Sequence, residues 1–228
     1  FLSTNPWYTE YLNKQLRKGM DVIMIPWGIG AGLITAIVGY LLGGISFSIM
    51  LTTMKYHADV RTQGSGNAGA TNVARVFGMK AGVFTLLGDM AKTAAAMGVG
   101  YAVCGVNGMA VAGAACILGH CFPLYYHFRG GKGVSVGAMI GLMIDWRVLL
   151  IIVGVFAICV VFTRIVSIGS VAAAVALPLA ALLVHASLPE MLLACFTCVL
   201  VVFMHRGNLV RLAHHQEPKF QPKKRDSK

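Results

Sequence analysis

A polar, glycine-rich segment between residues 64 and 75 has the composition of an anion-binding site. Glycines alternate there with hydrogen-bonding side chains, in the order Gly64, Ser65, Gly66, Asn67, Gly69, Thr71, Asn72 and Arg75. Glycines let backbone N–H groups converge on a phosphate, and a helix that starts after them favours negative charge at its N-terminus. We therefore predict a phosphate-binding loop followed by a helix. The glycine spacing also matches the dinucleotide-binding fingerprint, but no strand–turn–helix unit with a downstream acidic residue accompanies it.

A second segment places a lysine among glycines, at Gly130-Gly131-Lys132-Gly133, and His120 precedes it in an apolar stretch. The ammonium and the neighbouring backbone N–H groups can hold an anion, although the spacing and the Ser or Thr of a Walker A loop are missing. Taken alone, this segment has the composition of an ordinary basic loop beside a membrane. A single histidine in an apolar span is likewise more typical of a hydrogen-bonded structural residue than of a catalyst.

Two further polar groups lie beside apolar stretches nearer the C-terminus. Ser167 and Ser170 are three residues apart and share a helical face. His205, Asn208 and Arg211 share another face if the preceding helix continues. Serines in membrane helices commonly bond to their own backbone, and basic residues commonly end a span on its positive side. The serines are therefore a candidate site only in combination with other groups, whereas the polar trio suggests a site by itself.

Charged residues and cysteines inside the apolar stretches have simpler interpretations. Asp89 and Lys92 lie three residues apart in a predicted helix, where charge is costly, so we predict that they pair. Cys195 and Cys198 form a C-x-x-C in an apolar run, which indicates buried thiols rather than a redox pair. The eight acidic residues are scattered, and the histidines lack metal-ligand spacing. We expect neither a metal nor a cofactor.

The elements that must position these groups are membrane helices. The 228 residues are 57% hydrophobic and only 12% charged, with a mean hydropathy of +0.73. A soluble domain normally carries about a quarter charged residues, so a bilayer is the better solvent. We predict an all-α, polytopic transmembrane bundle of about seven helices, at residues 25–51, 81–104, 109–127, 134–144, 148–162, 165–186 and 191–204. The fourth is short for a crossing, so whether it fully crosses is left open.

The distribution of basic residues predicts the orientation. With seven crossings, most Lys and Arg residues fall in loops on one side, and Arg147 alone lies in the interhelical loops of the other side. This pattern places the N-terminus outside and the C-terminus in the cytosol. It divides the chain into an extension of uncertain origin at residues 1–19, a transmembrane domain at 20–212 and a basic cytosolic tail at 213–228. Although the net charge is +11, the basic residues flank apolar spans, so we expect no nucleic-acid partner.

Four motifs together resemble those of the bacterial acyl-phosphate:glycerol-3-phosphate acyltransferases, small polytopic inner-membrane enzymes. The resemblance runs from about residue 20 to residue 220, and its motifs are Gly64–Arg75, Gly119-His120 with Pro123 and Gly130–Gly133, Arg164–Ser167, and His205–Asn208 with Arg211 and Glu217-Pro218-Lys219. Each motif alone is modest. Their order, spacing and common predicted side of the membrane make the combination specific.

The resemblance implies a reaction and a location. Acyl phosphate and glycerol 3-phosphate would give 1-acylglycerol 3-phosphate (lysophosphatidic acid) and phosphate, as a step of phospholipid biosynthesis. Neither coenzyme A nor acyl carrier protein would carry the acyl group directly, and an enzyme that makes acyl phosphate would be the functional partner. The chain would be a multi-pass protein of the bacterial inner membrane with its active site facing the cytosol, and residues 20–212 would be the acyltransferase domain.

We assign candidate roles on this interpretation. Acyl phosphate is already activated, so no nucleophilic residue is required and catalysis reduces to positioning and charge stabilisation. The predicted catalytic residues are Ser65, Arg75, Lys132, His205 and Asn208. The predicted substrate-binding residues are Gly66, Asn67, Gly69, Thr71, Asn72, His120, Gly130, Gly131, Ser167 and Arg211. The proton of the attacking hydroxyl has two candidate acceptors, His205 and the leaving phosphate.

Two other functions fit parts of the sequence. A secondary transporter of a phosphorylated or anionic metabolite could also contain glycine-interrupted helices and buried charges, but it would be expected to show polar residues near the midplane and a repeat between halves. Only Asp89 and Lys92 lie inside a predicted span, and no repeat is visible. A different lipid enzyme would need an H-x-x-x-x-D motif or clustered aspartates. Tyr125 stands five residues after His120, and the acids are scattered.

Overall fold

The computed structural model describes residues 28–220, which are helical apart from short connections. The α-helices are α1 (Ile29–Gly44), α2 (Phe47–Tyr56), α3 (Ala70–Phe77), α4 (Met79–Cys121), α5 (Val134–Ile144), α6 (Trp146–Thr163), α7 (Val166–Leu183), α8 (Leu188–Met204) and α9 (Arg206–Ala213). This confirms the predicted all-helical class. The predicted extension at 1–19, the start of the first predicted span at 25–27 and the end of the basic tail at 221–228 lie outside the described residues.

The first predicted span is broken rather than continuous. Helix α1 ends at Gly44, and the Ser46 side chain caps α2 by accepting a hydrogen bond from Ile49 N at 3.4 Å. The carbonyl of Ile45, left outside both helices, accepts a hydrogen bond from Lys92 Nζ at 2.5 Å. The break therefore supplies a backbone acceptor to a charge inside the bundle, and the sequence pattern of apolar residues contains no sign of it.

Helix α4 folds back on itself. Cys104 and Gly105 have non-helical backbone angles, and Gly105 adopts a φ of 58°, which glycine tolerates without steric cost. Distant residues consequently meet: a Cβ on Gly100 would lie 2.3 Å from the carbonyl oxygen of Gly108, and Cys116 Sγ lies 3.7 Å from Thr93 Oγ1. The two arms, residues 79–103 and 106–121, correspond to the second and third predicted spans.

Helix α1 packs closely against the second arm of α4 through small residues. A Cβ at Gly43 would lie 2.1 Å from the carbonyl oxygen of Cys116, and one at Gly119 would lie 2.1 Å from that of Tyr40. Backbones approach this closely only where side chains are absent, as is common at membrane helix interfaces. The contact holds the second arm of α4, and with it His120, against the N-terminal helix.

The apolar helices form the outside of an integral membrane protein. Among residues 28–220, four helical segments could cross a membrane by length and composition: Ile29–Tyr56, Met79–Tyr126, Trp146–Thr163 and Val166–Leu183. Helices α8 and α9 make a fifth if the pair, bent by 54°, is taken as one span. The number is below the predicted seven because both arms of α4 lie within one segment and because α5 has only 11 residues. The orientation of the termini stays a prediction.

Candidate active site

A cavity of about 710 Å³ opens where the polar loops meet the helical bundle. Twelve of the fifteen predicted site residues line it: Ser65, Asn67, Gly69, Thr71, Asn72, Arg75, His120, Lys132, Ser167, His205, Asn208 and Arg211. Four segments far apart in sequence line this one cavity, which supports their predicted position on a common side of the membrane. The exceptions are Gly66, Gly130 and Gly131, which lie behind the wall.

The loop at residues 64–69 is held in shape by the amide of Asn72. Its Oδ1 accepts a hydrogen bond from Ser65 N at 2.9 Å, and its Nδ2 donates to the carbonyl oxygens of Val60, Gln63 and Asn67 at 2.9–3.1 Å. Asn72 is 1% exposed. Its donors are therefore occupied by the protein itself, and the predicted use of this side chain as a donor to a phosphate does not fit its position.

The predicted helix after the loop is confirmed. Helix α3 begins at Ala70 with Gly69 as its N-cap residue, and Thr71 lies in its first turn at the cavity wall. Gly64 and Gly66 have φ of 60° and 70°, which explains why glycines occupy these turn positions. Arg75, one turn further along α3, also faces the cavity. Gly66 thus shapes the loop and does not form the cavity wall.

The Gly130–Gly133 loop packs directly on His120. Gly131 N donates to His120 O at 3.0 Å, and a Cβ at Gly131 would lie 2.2 Å from His120 Nε2. A Cβ at Gly130 would lie 2.0 Å from His120 O. Both glycines are therefore explained by contact with the helix end beneath them rather than by contact with the cavity. Lys132, the next residue, lines the cavity.

A network of polar side chains connects Lys132 to the C-terminal segment. Lys132 Nζ donates to Asn208 Oδ1, and Asn208 Nδ2 donates to Glu217 Oε1 at 2.5 Å. Glu217 also accepts hydrogen bonds from Ser167 Oγ at 2.8 Å and from Arg211 Nε at 2.8 Å. One carboxylate thus brings together side chains from α7 and α9 at the edge of the cavity.

The pKa values of the charged groups outside the spans reflect this network. Burial by itself raises the pKa of the Glu217 carboxyl, but hydrogen bonds from Asn208, Ser167 and Arg211 outweigh it and hold the pKa below its ordinary value. The pKa of the Lys132 ammonium is lowered to about 8, chiefly by burial; the charge of Glu217 opposes this shift, and the charges of Arg211 and Arg75 add to it. Lys132 is thus a cation that can lose its proton in a moderately alkaline solution.

His205 lies at the bend between α8 and α9 and is 3% exposed. Its Nδ1 lies 2.7 Å from Val201 O, and a carbonyl oxygen can only accept, so Nδ1 carries the proton of this hydrogen bond. In the neutral imidazole, Nε2 is then an acceptor. Because His205 also lines the cavity, it supplies a proton acceptor there.

The deeper part of the cavity is apolar and lies among the membrane helices. Its wall comes from α5, α6 and α7 and includes Ala138, Ile152, Phe156, Ala173 and Leu177. A hydrocarbon chain can bury its apolar surface against these side chains. The cavity thus combines a polar, basic mouth with an apolar interior.

Sequence reasoning missed Glu217 as a site residue. Glu217 belongs to one of the motifs that carry the family resemblance, but an acid in a basic tail gives no sign of three hydrogen-bond donors. A backbone hydrogen bond places Glu217 at the site: Phe220 N donates to Arg164 O at 2.7 Å, which fixes the segment that contains Glu217 against the start of α7. A signal existed only in the scarcity of acids, since Glu217 is one of eight acidic residues in a chain with 19 lysines and arginines.

Comparisons with known proteins agree on one family. The sequence model of the family described as glycerol-3-phosphate acyltransferase matches residues 33–215. Proteins named glycerol-3-phosphate acyltransferase are similar along most of their length: one from Shouchella clausii is 40% identical and aligns over 83% of this chain and 96% of its own. One from Jannaschia sp. is 38% identical and aligns over 82% of this chain and 91% of its own.

Solved structures give the same result. The crystal structure of PlsY (YgiH), an integral membrane glycerol 3-phosphate acyltransferase, in its glycerol 3-phosphate form has a TM-score of 0.79 and 30% identity, and the match covers 83% of this chain and 96% of that one. Its lysophosphatidic acid form has a TM-score of 0.77 and 29% identity, with 83% and 95% covered. The family, the helical fold and the basic cavity agree, and the chain belongs to the glycerol-3-phosphate acyltransferase family.

Proposed function

We propose that this chain transfers a fatty acyl group from acyl phosphate to glycerol 3-phosphate, as a step of phospholipid biosynthesis. The oxygen of the 1-hydroxyl group attacks the acyl carbonyl carbon, a new ester C–O bond forms, and the bond from that carbon to the phosphate oxygen breaks. The products are 1-acylglycerol 3-phosphate and inorganic phosphate. The hydroxyl proton passes to a base in the site or to the departing phosphate, so the reaction needs no oxidant, reductant or further co-reactant.

The observation that carries this proposal is the two-part cavity. Arg75, Lys132 and Arg211 line its mouth, where two phosphate-bearing substrates require positive charge. Phe156 and Leu177 line its interior, where an acyl chain finds an apolar environment. An acyl phosphate lying along the cavity would have its carbonyl carbon at the junction, beside the site for a small polar acceptor. The family membership favours this function over the transport of an anionic metabolite.

Positioning and charge stabilisation do most of the catalytic work in this proposal. The mixed anhydride is already activated, so the cations need only align the hydroxyl with the carbonyl and stabilise the charge that develops on the leaving phosphate. Backbone groups of the 64–69 loop and the side chains of Ser65, Asn67 and Thr71 would bind phosphate oxygens. Asn72 would shape this loop rather than bind substrate.

Two proton acceptors fit the geometry. His205 has an Nε2 acceptor at the cavity, since its Nδ1–H is bonded to Val201 O. The departing phosphate is the second candidate acceptor. Its oxygens lie next to the attacking hydroxyl, because the hydroxyl attacks the carbon to which the phosphate is bonded. A His205→Gln variant separates them: kcat reduced by about 100-fold or more, with KM little changed, assigns the proton to His205. A kcat close to that of the wild type assigns it to the phosphate.

A donor test decides between this function and other acyl transfers. The purified chain in nanodiscs is given radiolabelled glycerol 3-phosphate with acyl phosphate, acyl coenzyme A or acyl carrier protein as the donor. We expect labelled lysophosphatidic acid with acyl phosphate alone. Equal or faster product formation from either thioester would contradict the proposal. An Arg75→Ala variant should lose activity, and Lys80→Ala, which removes an exposed cation at the start of α4, serves as its control.

The proposed location is the bacterial inner membrane, with the cavity mouth facing the cytosol. The apolar helices and the predominance of Lys and Arg in the loops around the cavity support this orientation. A cysteine introduced at Lys80 should be labelled by a membrane-impermeant maleimide only from the cytosolic side, in a background in which the native thiols are replaced by alanine. Labelling of intact cells from outside would reverse the orientation.

A further inference from the structure

Asp89, Lys92 and His120 form a buried polar cluster beneath the Gly130–Gly133 loop. Lys92 Nζ lies 2.9 Å from Asp89 Oδ1 and 3.2 Å from His120 Nδ1, in addition to its contact with Ile45 O at 2.5 Å. The side chains of all three titratable residues are at most 3% exposed. The other oxygen of Asp89 accepts a hydrogen bond from Ser135 Oγ at 3.3 Å. The predicted pairing of Asp89 with Lys92 is confirmed, and the pair has a third member.

These contacts determine which nitrogen of His120 carries a proton. An ammonium has three N–H donors and no acceptor, and three acceptor atoms surround Lys92 Nζ. His120 Nδ1 is therefore the acceptor in its contact with Lys92. In the neutral ring the proton is then on Nε2, which makes Nε2–H a donor. His205 has the opposite arrangement, because its Nδ1–H donates to a carbonyl oxygen.

The Nε2 side of His120 meets the substrate cavity. His120 is one of the residues that line the cavity, and Gly131 lies against its Nε2 edge without a side chain to cover it. Within residues 28–220, Nε2 has no hydrogen-bond partner. Nε2 is not one of the fully enclosed side-chain atoms that lack a partner, so a ligand oxygen bound in the cavity can reach it and accept its hydrogen bond.

We propose that Asp89 and Lys92 hold His120 as the Nε2–H tautomer, and that this neutral N–H donates to a phosphate oxygen of a bound substrate. The inference rests on the proposed function for the identity of the ligand. His120 is then in contact with substrate, and Lys92 and Asp89 are positioning residues that act through it. The cavity would thus contain two histidines with opposite roles: His120 donates, and His205 accepts.

Two isosteric replacements of His120 separate this role from a structural one. In His120→Gln, the side-chain amide can place an NH2 group where Nε2–H was, but Lys92 loses an acceptor. In His120→Asn, an oxygen can replace Nδ1 as the acceptor for Lys92, but nothing reaches the cavity. We expect kcat/KM of His120→Asn to fall by about 10- to 100-fold through a raised KM, whereas His120→Gln stays within about threefold of the wild type. The substrate whose KM rises, acyl phosphate or glycerol 3-phosphate, is the one bound.

The thermal stability of the same variants should follow the reverse order, with His120→Gln the less stable. A purely structural role predicts that activity and stability fall together, so His120→Asn would be the more active. That result, or equal kcat/KM in the two variants, overturns the proposal. His127→Asn, a change in the connection before the loop at a residue outside the cavity, is the control and should leave both quantities unchanged.

The tautomer of His120 can be measured by NMR, independently of enzyme activity. In protein labelled with 15N-histidine in nanodiscs, the signal absent from His120→Gln should report a proton on Nε2. Replacing Lys92 alone would leave the Asp89 carboxylate buried without a partner, so the double variant Asp89→Asn/Lys92→Met is used. We expect it to lose the fixed Nε2–H tautomer. A wild-type proton on Nδ1, or an unchanged signal in the double variant, overturns the proposal. A wild-type chain inactive with acyl phosphate instead contradicts the proposed function, and the spectra still test the tautomer.

Discussion

Two polar networks lie on either side of the Gly130–Gly133 loop and differ in depth. The inner one joins Asp89, Lys92 and His120, whose side chains are at most 3% exposed. The outer one joins Lys132 and Arg211 through Glu217, and Arg211 is 43% exposed there. Each contains one carboxylate, and each approaches the same cavity. Their depth decides what each can do.

Neither water nor a substrate can replace a member of the enclosed inner network, whereas both can reach part of the outer one. Removing one member of the inner network would leave a charge in the bundle that water cannot reach. Because that cost is high, the three side chains are held in one arrangement. In the outer network, a substrate phosphate can compete with the Glu217 carboxylate for Arg211, because Arg211 is 43% exposed although Glu217 is only 7% exposed. Lys132 lines the cavity and can contact a phosphate there. The inner network is suited to positioning a neutral donor, and the outer one to binding and releasing anions.

The largest effect is expected from breaking the inner ion pair. Asp89→Asn leaves Lys92 charged and without its anion, which should lower the free energy of unfolding by about 3–5 kcal/mol. Denaturation of the purified protein in detergent measures it. The matched change in the outer network, Glu217→Gln, should cost much less because its arginine partner is half exposed. Equal losses in the two variants would contradict the contrast between the networks.

The next effect is on catalysis and comes from Lys132. Lys132→Ala removes a partly buried cation from the cavity wall and should lower kcat/KM by about 100- to 1000-fold, as is typical when one group that stabilises transition-state charge is lost. Lys80→Ala, at an exposed position, should leave it unchanged. Steady-state kinetics with acyl phosphate and glycerol 3-phosphate provide the measurement. A Lys132→Ala enzyme with wild-type kinetics would remove Lys132 from the site.

A smaller effect is expected from Glu217. Glu217→Gln keeps an oxygen that can accept from Asn208 but removes the charge opposite Arg211, so Arg211 and Asn208 should be less well oriented. We expect KM for one phosphate substrate to rise about three- to tenfold, with kcat nearly unchanged. Glu217→Ala should be worse, because Ser167 and Asn208 then lose their acceptor. If both variants match the wild type, the outer network has no part in binding.

The smallest effect is a dependence on pH. The pKa of Lys132 is lowered to about 8 by burial, so the cation is present below that pH and is lost above it. The value of kcat/KM should therefore fall by about twofold between pH 7 and pH 8, and more steeply beyond. Substrate phosphates are already fully ionised there, since their second pKa is about 6. Lys132→Arg, whose guanidinium stays protonated, should remove this fall. An identical fall in the variant would assign the titration elsewhere.

The site residues show how far sequence reasoning reaches. The prediction that Arg75, Lys132 and His205 belong to one place followed from motif order and the positive-inside pattern, and all three line one cavity. For Asn72, predicted to bind substrate, the structure shows a use that the sequence does not reveal, because its amide closes the loop. Residue types in a loop give the inventory of donors, but they do not tell which donors the backbone itself occupies.

The sequence by itself determined the helical membrane fold, the polar and basic composition of the loop segments and the pairing of Asp89 with Lys92, because hydrophobicity, charge and helical spacing are local properties of the chain. Tertiary structure alone decided the break at Ile45, the reversal of α4 at Gly105 and the meeting of Lys92 with His120. It also decided that Glu217 joins the site. Each of these depends on contacts between residues distant in sequence, which satisfy buried charges and carbonyl groups only once the helices have packed.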